Sequence, residues 1–104
     1  MDTPLYEPKL KRAKRRLTLR RFLLGRTHRR TGDAYFETGT LFRLTGNMDA
    51  AAHCLSMAEQ IHRQRLGPGH PALALDLFSI GEYQSQWGER RRAQQSYERA
   101  RAIL

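Results

Sequence analysis

LGPGHPALALDLFSIGEYQSQWGERRRAQQSYERARAIL, from Leu66 to Leu104, holds two helical segments joined by a Trp87-Gly88 turn. Small residues stand where the two segments would have to touch, at Gly81, Ala93 and Ala100. Moving back 42 positions meets the same landmarks: Leu24, Gly25, His28, Phe36, Gly39, Gly46, Ala51, Ala58 and Ile61 match Leu66, Gly67, His70, Phe78, Gly81, Gly88, Ala93, Ala100 and Ile103. Nine identities at one ungapped offset define an internal repeat. A period of about 40 residues points to stacked helical hairpins.

On either side of the Trp87-Gly88 turn, glycine and proline set the boundaries. Gly67-Pro68-Gly69 ends one helix, and Pro71 begins the next, from Pro71 to Trp87, at a position where a missing N–H costs nothing. The last helix then covers Glu89 to Leu104. One period earlier the pattern predicts helices over His28–Leu44 and Met48–Leu66, with Gly46 and Asn47 at the turn. Before them, Leu10, Ala13, Leu17 and Leu24 form one apolar stripe over Lys9–Leu24, broadened by Phe22 and Leu23. This segment fits the register of the second helix of a hairpin whose first helix is missing. Met1 to Pro8, with Pro4 and Pro8, reads as extended. The expected organisation is an extended segment 1–8, a basic capping helix 9–24, a first repeat 25–66 and a second, shorter repeat 67–104.

The net charge of +9 is carried by one end. Residues 1–31 hold eleven Lys or Arg against Asp2 and Glu7, whereas residues 32–104 hold eight Arg and eight acids. The repeats are neutral and the arm before them holds the whole imbalance. The arm's candidate contacts for an anionic partner are Lys9, Lys11, Arg12, Lys14, Arg15, Arg16, Arg20, Arg21, Arg29 and Arg30. They fit a capping helix with a solvated face, contact with an acidic protein surface, binding to RNA phosphates, a nuclear import signal over Lys11–Arg16, or an anionic membrane surface. Only Tyr6 and Phe22 interleave with the charge, a weak pattern for single-stranded nucleic acid.

The repeat residues resemble the tetratricopeptide repeat (TPR), and more narrowly the 42-residue variant of kinesin light chains. That variant joins its hairpins by a Leu-Gly-Pro-x-His-Pro linker, and Leu66-Gly67-Pro68-Gly69-His70-Pro71 reads the same way. Leu77, Ile80 and Gly81 fill the large, Leu and small positions of the first helix. Ala93, Tyr97 and Ala100 fill the Ala, aromatic and Ala positions of the second. The first repeat carries Tyr35, Thr38, Gly39 and Phe42, then Ala51, Leu55 and Ala58. The resemblance implies an all-α fold of TPR-like hairpins in a short right-handed superhelix. It further implies a protein-binding adaptor or scaffold with a concave groove made by the first helices. By register that groove shows Asp33, Phe36, Thr40 and Arg43, then Leu75, Phe78, Glu82 and Ser85. Where kinesin light chains carry asparagines, this chain has Phe36-Glu37 and Phe78-Ser79, and a Lys/Asn clamp for a C-terminal carboxylate is absent. A groove with two phenylalanines suits an apolar or helical partner, although either ring could instead pack against the neighbouring hairpin.

No carboxylate pair, Gly-rich phosphate loop or Ser/Cys/His set stands in a supporting context, so the sequence points away from catalysis and calls for no cofactor. His28, His53, His62, His70 and Cys54 lack metal-ligand spacing, and no metal is expected. The single Cys54 cannot form an internal disulfide, which fits an intracellular, cytoplasmic setting. No secretory apolar region stands at the start and no apolar run approaches the length of a membrane span. Exposed end helices would allow two copies to pair.

Overall fold

Five helices follow one another in the computed structural model, which describes residues 3–104. They are α1 (Thr3–Leu24), α2 (Arg29–Leu44), α3 (Met48–Leu66), α4 (Pro71–Gln86) and α5 (Arg90–Ile103). The described residues contain no strand. Each helix packs on the next in sequence, and α2 also touches α4. The result is a slab of two-helix hairpins, 35 × 34 × 18 Å.

The hairpin turns repeat as the sequence does. At the end of α2, Asn47 N–H donates to Phe42 O (2.9 Å) and Gly46 N–H to Arg43 O (3.1 Å). At the end of α4, Glu89 N–H donates to Gln84 O (2.9 Å) and Gly88 N–H to Ser85 O (3.0 Å). This paired closure needs a left-handed residue, and Gly46 (φ 87°) and Gly88 (φ 81°) supply it. The helix starts repeat too. His28 Nδ1 accepts from Arg30 N–H (3.1 Å) and His70 Nδ1 from Ala72 N–H (3.0 Å), so both histidines act as N-caps.

Inside each hairpin the helices meet at small residues. A Cβ built on Gly39 would lie 2.8 Å from Leu55 Cγ and 3.0 Å from Cys54 Cβ; one on Gly81 would lie 2.7 Å from the Tyr97 ring. Gly32 is a further close approach, 2.8 Å from Ile61 Cγ2. Around these crossings Leu55, Ile61, Leu73 and Leu77 are almost fully buried, each worth about 1.5–3 kcal/mol relative to exposure. Cys54 is buried among Tyr35, Ala58 and Ile61, and burial pushes its thiol up to about 11 against the nearby Lys14 charge. Such a thiol is unreactive in the folded chain.

Two expectations are corrected. Residues 3–8 are helical, not extended: α1 begins at Thr3 and runs through Pro8. The missing N–H of Pro8 forfeits one bond, to the carbonyl of Pro4, close to the free end of the helix. Helical register also places half-buried Tyr6 one turn before Leu10 on the stripe of buried Ala13 and half-buried Leu17. Met1 and Asp2 of the expected extended segment lie outside the described residues. The second correction concerns Phe22 and Leu23, which do not widen the buried stripe. They are 85% and 70% exposed, because at 100° per residue they fall on faces turned away from α2.

Candidate protein-binding clefts and a buried charge cluster

α1 docks on α2 partly through its charged side chains. Arg16 pairs with Glu37, Arg20 Nη1 donates to Arg30 O (3.0 Å), and Lys14 Nζ sits 5.1 Å from the centre of the Phe42 ring. These are half-exposed or exposed contacts, each worth up to about 1 kcal/mol. Lys11, Arg12, Arg15, Arg21, Arg29 and Arg30 are exposed and make no ion pair among the described residues.

The docking brings the basic arm and part of the groove into one place. A cleft of about 500 Å³ between α1 and α2 is lined by Lys9, Arg12 and Arg16 from one helix and Phe36, Glu37, Thr40 and Leu41 from the other. Its polar and apolar parts are separable. Lys9 and Arg12 offer positive charge, the half-buried Phe36 an apolar edge, and Thr40 Oγ1 is a buried hydroxyl without a hydrogen-bond partner. Arg43 reaches across to α4, with Nη1 3.4 Å from Gln86 Oε1, while its Nε has no partner.

The groove residues divide by repeat. Phe36 packs against Leu55, Ile80 and Tyr83, covered in part by α4. Phe78, its equivalent in the second repeat, is 51% exposed, as is much of Leu75; Ser85 is also exposed. Glu82 is half-buried and accepts the hydroxyl hydrogen of Tyr97. Burial and that carboxylate together push the Tyr97 hydroxyl up to about 12.

Asp33, which register places at the groove, also joins a buried cluster. His62, fully buried at the junction of α2, α3 and α4, lies between two carboxylates. Its Nδ1 is 2.5 Å from Asp76 Oδ2 and its Nε2 is 2.8 Å from Asp33 Oδ1. An imidazole can donate at both nitrogens only as the imidazolium, so the geometry calls for the protonated ring. Burial works against that charge, yet the hydrogen bonds and charges of Asp76 and Asp33 outweigh it and raise the His62 pKa above its usual 6.5. Burial also raises Asp76, against the pull of His62, and its Oδ1 has no hydrogen-bond partner. The sequence spacing holds a signal for this cluster, although no motif marks it. Asp76 stands with Leu73, Leu77 and Ile80 at helical spacing, and His62 stands with Leu55 and Ala58.

The two shifts act in the same direction. A raised histidine stabilises the fold fully below pH 6.5, and this contribution is lost as pH climbs through the folded value. A raised Asp76 adds a cost that grows as pH rises above 3.8. Stability is therefore expected to fall as pH rises through the His62 transition. Urea unfolding followed by Trp87 fluorescence at a series of pH values checks this. A stability that instead grows across that range would contradict the charged cluster.

Paired helices joined by tight turns, closing on small residues and repeating at a fixed interval, make this a helical-hairpin repeat protein. The tetratricopeptide repeat family model matches residues 39–104, and the chain belongs to that family. Its hairpins are of the kind that mediates protein–protein interaction. A search of curated proteins gives no match. No helix among the described residues is long and apolar enough to cross a membrane, and no cluster of His, Cys, Asp and Glu among them could hold a metal ion.

Proposed function

We propose that this chain is a non-catalytic adaptor or scaffold subunit that holds a partner protein at the concave cleft between α1 and α2. The observation that carries this reading is the convergence of Lys9, Arg12 and Arg16 with Phe36 and Thr40 in one cleft. Apolar area supplies affinity there, and the basic side supplies attraction and orientation. A partner segment with apolar side chains on one face and acidic ones beside it matches these groups, most simply as an amphipathic helix. The 42-residue period and the Leu66–Pro71 linker support a further placing, among repeats resembling those of kinesin light chains.

The competing reading assigns the arm to nucleic acid. It is favoured by the exposed residues Lys11, Arg15, Arg21, Arg29 and Arg30, which lie outside the cleft. Affinity capture with the tagged chain at low and high salt, with and without nuclease, separates the two. Phosphate binding falls steeply with salt because condensed counterions are released. Protein partners retained at high salt and after nuclease are the expected result. A yield lost under both treatments would make the arm a nucleic-acid contact and the repeats its support.

A further inference from the structure

The first repeat shows what the second leaves uncovered. In repeat one Phe36 and Leu55 form a floor on which Ile80 and Tyr83 of α4 pack. The equivalent floor 42 positions later is Phe78 and Tyr97, with ring centroids 5.5 Å apart. It opens between α4 and α5 as a cleft of about 630 Å³, whose remaining walls include Ala74, Leu75, Ala100 and Leu104, with Arg101 beside them. Leu75 and Leu104 are 57% and 87% exposed.

Three changes give this cleft a chemistry of its own. Asp33 is replaced by Leu75, His62 by Leu104 and Glu59 by Arg101 at the same offset. The charged cluster that receives Asp76 in repeat one therefore has no counterpart in repeat two. In repeat one Glu59 also accepts from Arg99 of the covering hairpin, at 3.2 Å. With arginine in that place, the matching group on a covering element is a carboxylate.

We propose that the α4–α5 cleft docks an acidic amphipathic helix of a partner protein, laid across Phe78 and Tyr97 as α4 lies across Phe36 and Leu55. Two apolar side chains three residues apart rest on the aromatic floor, and an acidic group meets Arg101. A second copy of this chain fits poorly. Cleft-to-cleft pairing would oppose two α5 helices, each holding five Arg against Glu98. The other exposed apolar strip, Leu19, Phe22 and Leu23, lies on α1 among eight Lys or Arg. Both arrangements set like charges together. The inference rests on the protein-binding reading and adds a second cleft to it.

The test uses the full chain and a fluorescent peptide of residues 71–86, the segment that covers the equivalent floor in repeat one. The peptide carries Leu73→Glu, Leu75→Glu, Leu77→Glu and Phe78→Glu, which leaves Asp76, Ile80 and Tyr83 as its docking face. A control peptide has lysine at those four positions and Asp76→Asn. Binding of the acidic peptide by anisotropy is expected to weaken at least tenfold with Phe78→Asp or Arg101→Glu in the chain, and the lysine peptide should not bind. Both substituted side chains are exposed, and circular dichroism confirms that each variant is folded. Failure of the acidic peptide to bind overturns the proposal. So does a dimer that Leu104→Glu dissociates in sedimentation, since the occupant is then a second copy. If binding survives Phe78→Asp but is lost with Lys9→Glu/Arg12→Glu, docking belongs to the α1–α2 cleft. This proposal then fails while the adaptor reading stands.

Discussion

Replacing His62 by leucine is expected to lower the free energy of unfolding by roughly 3–5 kcal/mol, the cost of breaking a buried ion pair from one side. The imidazolium is the hydrogen-bond partner of Asp76, which has no exposed surface and already carries one unpartnered oxygen. Without the ring, Asp76 must be buried unpaired or take up a proton. The double variant His62→Leu/Asp76→Leu is expected to recover most of that loss, since an apolar pair of similar volume often matches a buried salt bridge. Asp33 would be left half-exposed to water, at little cost. Urea unfolding of the two variants beside the parent gives both numbers. Equal stability of His62→Leu and the parent would show that the cluster does not hold the α2–α3–α4 junction. The double variant, which removes both titrating groups, should also lose the fall in stability with pH, whereas the single variant keeps a fall set by the unpaired Asp76.

The second large effect is expected at Gly39. Its Cα faces Leu55 and Cys54 so closely that even a methyl group would stand 2.8 Å from Leu55 Cγ and 3.0 Å from Cys54 Cβ. Leu55 is fully buried and Cys54 Cβ is tied to the backbone of α3, so neither can withdraw. Gly39→Leu should therefore cost about 3 kcal/mol or more, at or beyond the upper end for overpacked cores. Gly81 makes an informative comparison. Its close neighbour is the half-buried ring of Tyr97, which borders the open α4–α5 cleft and can swing into it. Gly81→Leu should cost less than Gly39→Leu by at least about 1 kcal/mol, the scale of a strained side chain relieved. Thermal or urea unfolding of the pair measures the difference. A larger loss at Gly81 would mean that the second hairpin, not the first, is the tighter crossing.

Most of the fold could be read from the chain because each element is marked by its own chemistry. Gly25, Gly46, Gly67 and Gly88 all adopt positive φ and stand at the ends of helices, so turns are visible as glycines. The crossing residues Gly39, Gly81, Ala51, Ala93, Ala58 and Ala100 betray the close contacts because larger side chains cannot stand there. What stayed hidden depended on partners distant in sequence. Pro4 and Pro8 argued locally against a helix, but docking of Leu10 and Ala13 on α2 outweighed one lost hydrogen bond. Phe22 and Leu23 look like core on hydrophobicity alone, and only the direction of α1 relative to α2 shows that they are exposed. Register places Asp33 at the groove, but the contact of its half-exposed carboxylate with His62, 29 residues away in sequence, is not visible there.

In the sequence the groove and the basic arm are separate places. Docking of α1 makes them adjoin, since Lys9, Arg12 and Arg16 line the cleft that holds Phe36 and Thr40. Lys11 and Arg15 stand on the same helix, exposed and outside that cleft. One helix thus carries two basic sets of different geometry, from which the pairs Lys9/Arg12 and Lys11/Arg15 offer equal charge.

That difference separates binding in the α1–α2 cleft from simple charge attraction when two charge-matched variants, Lys9→Glu/Arg12→Glu and Lys11→Glu/Arg15→Glu, are compared in one capture experiment. Each changes the net charge by the same amount, and none of the four side chains is buried. A partner held in the α1–α2 cleft should be lost from the first variant, with recovery falling at least tenfold, and retained by the second. Equal loss from both would show that charge alone attracts the partner, and would contradict binding in the cleft.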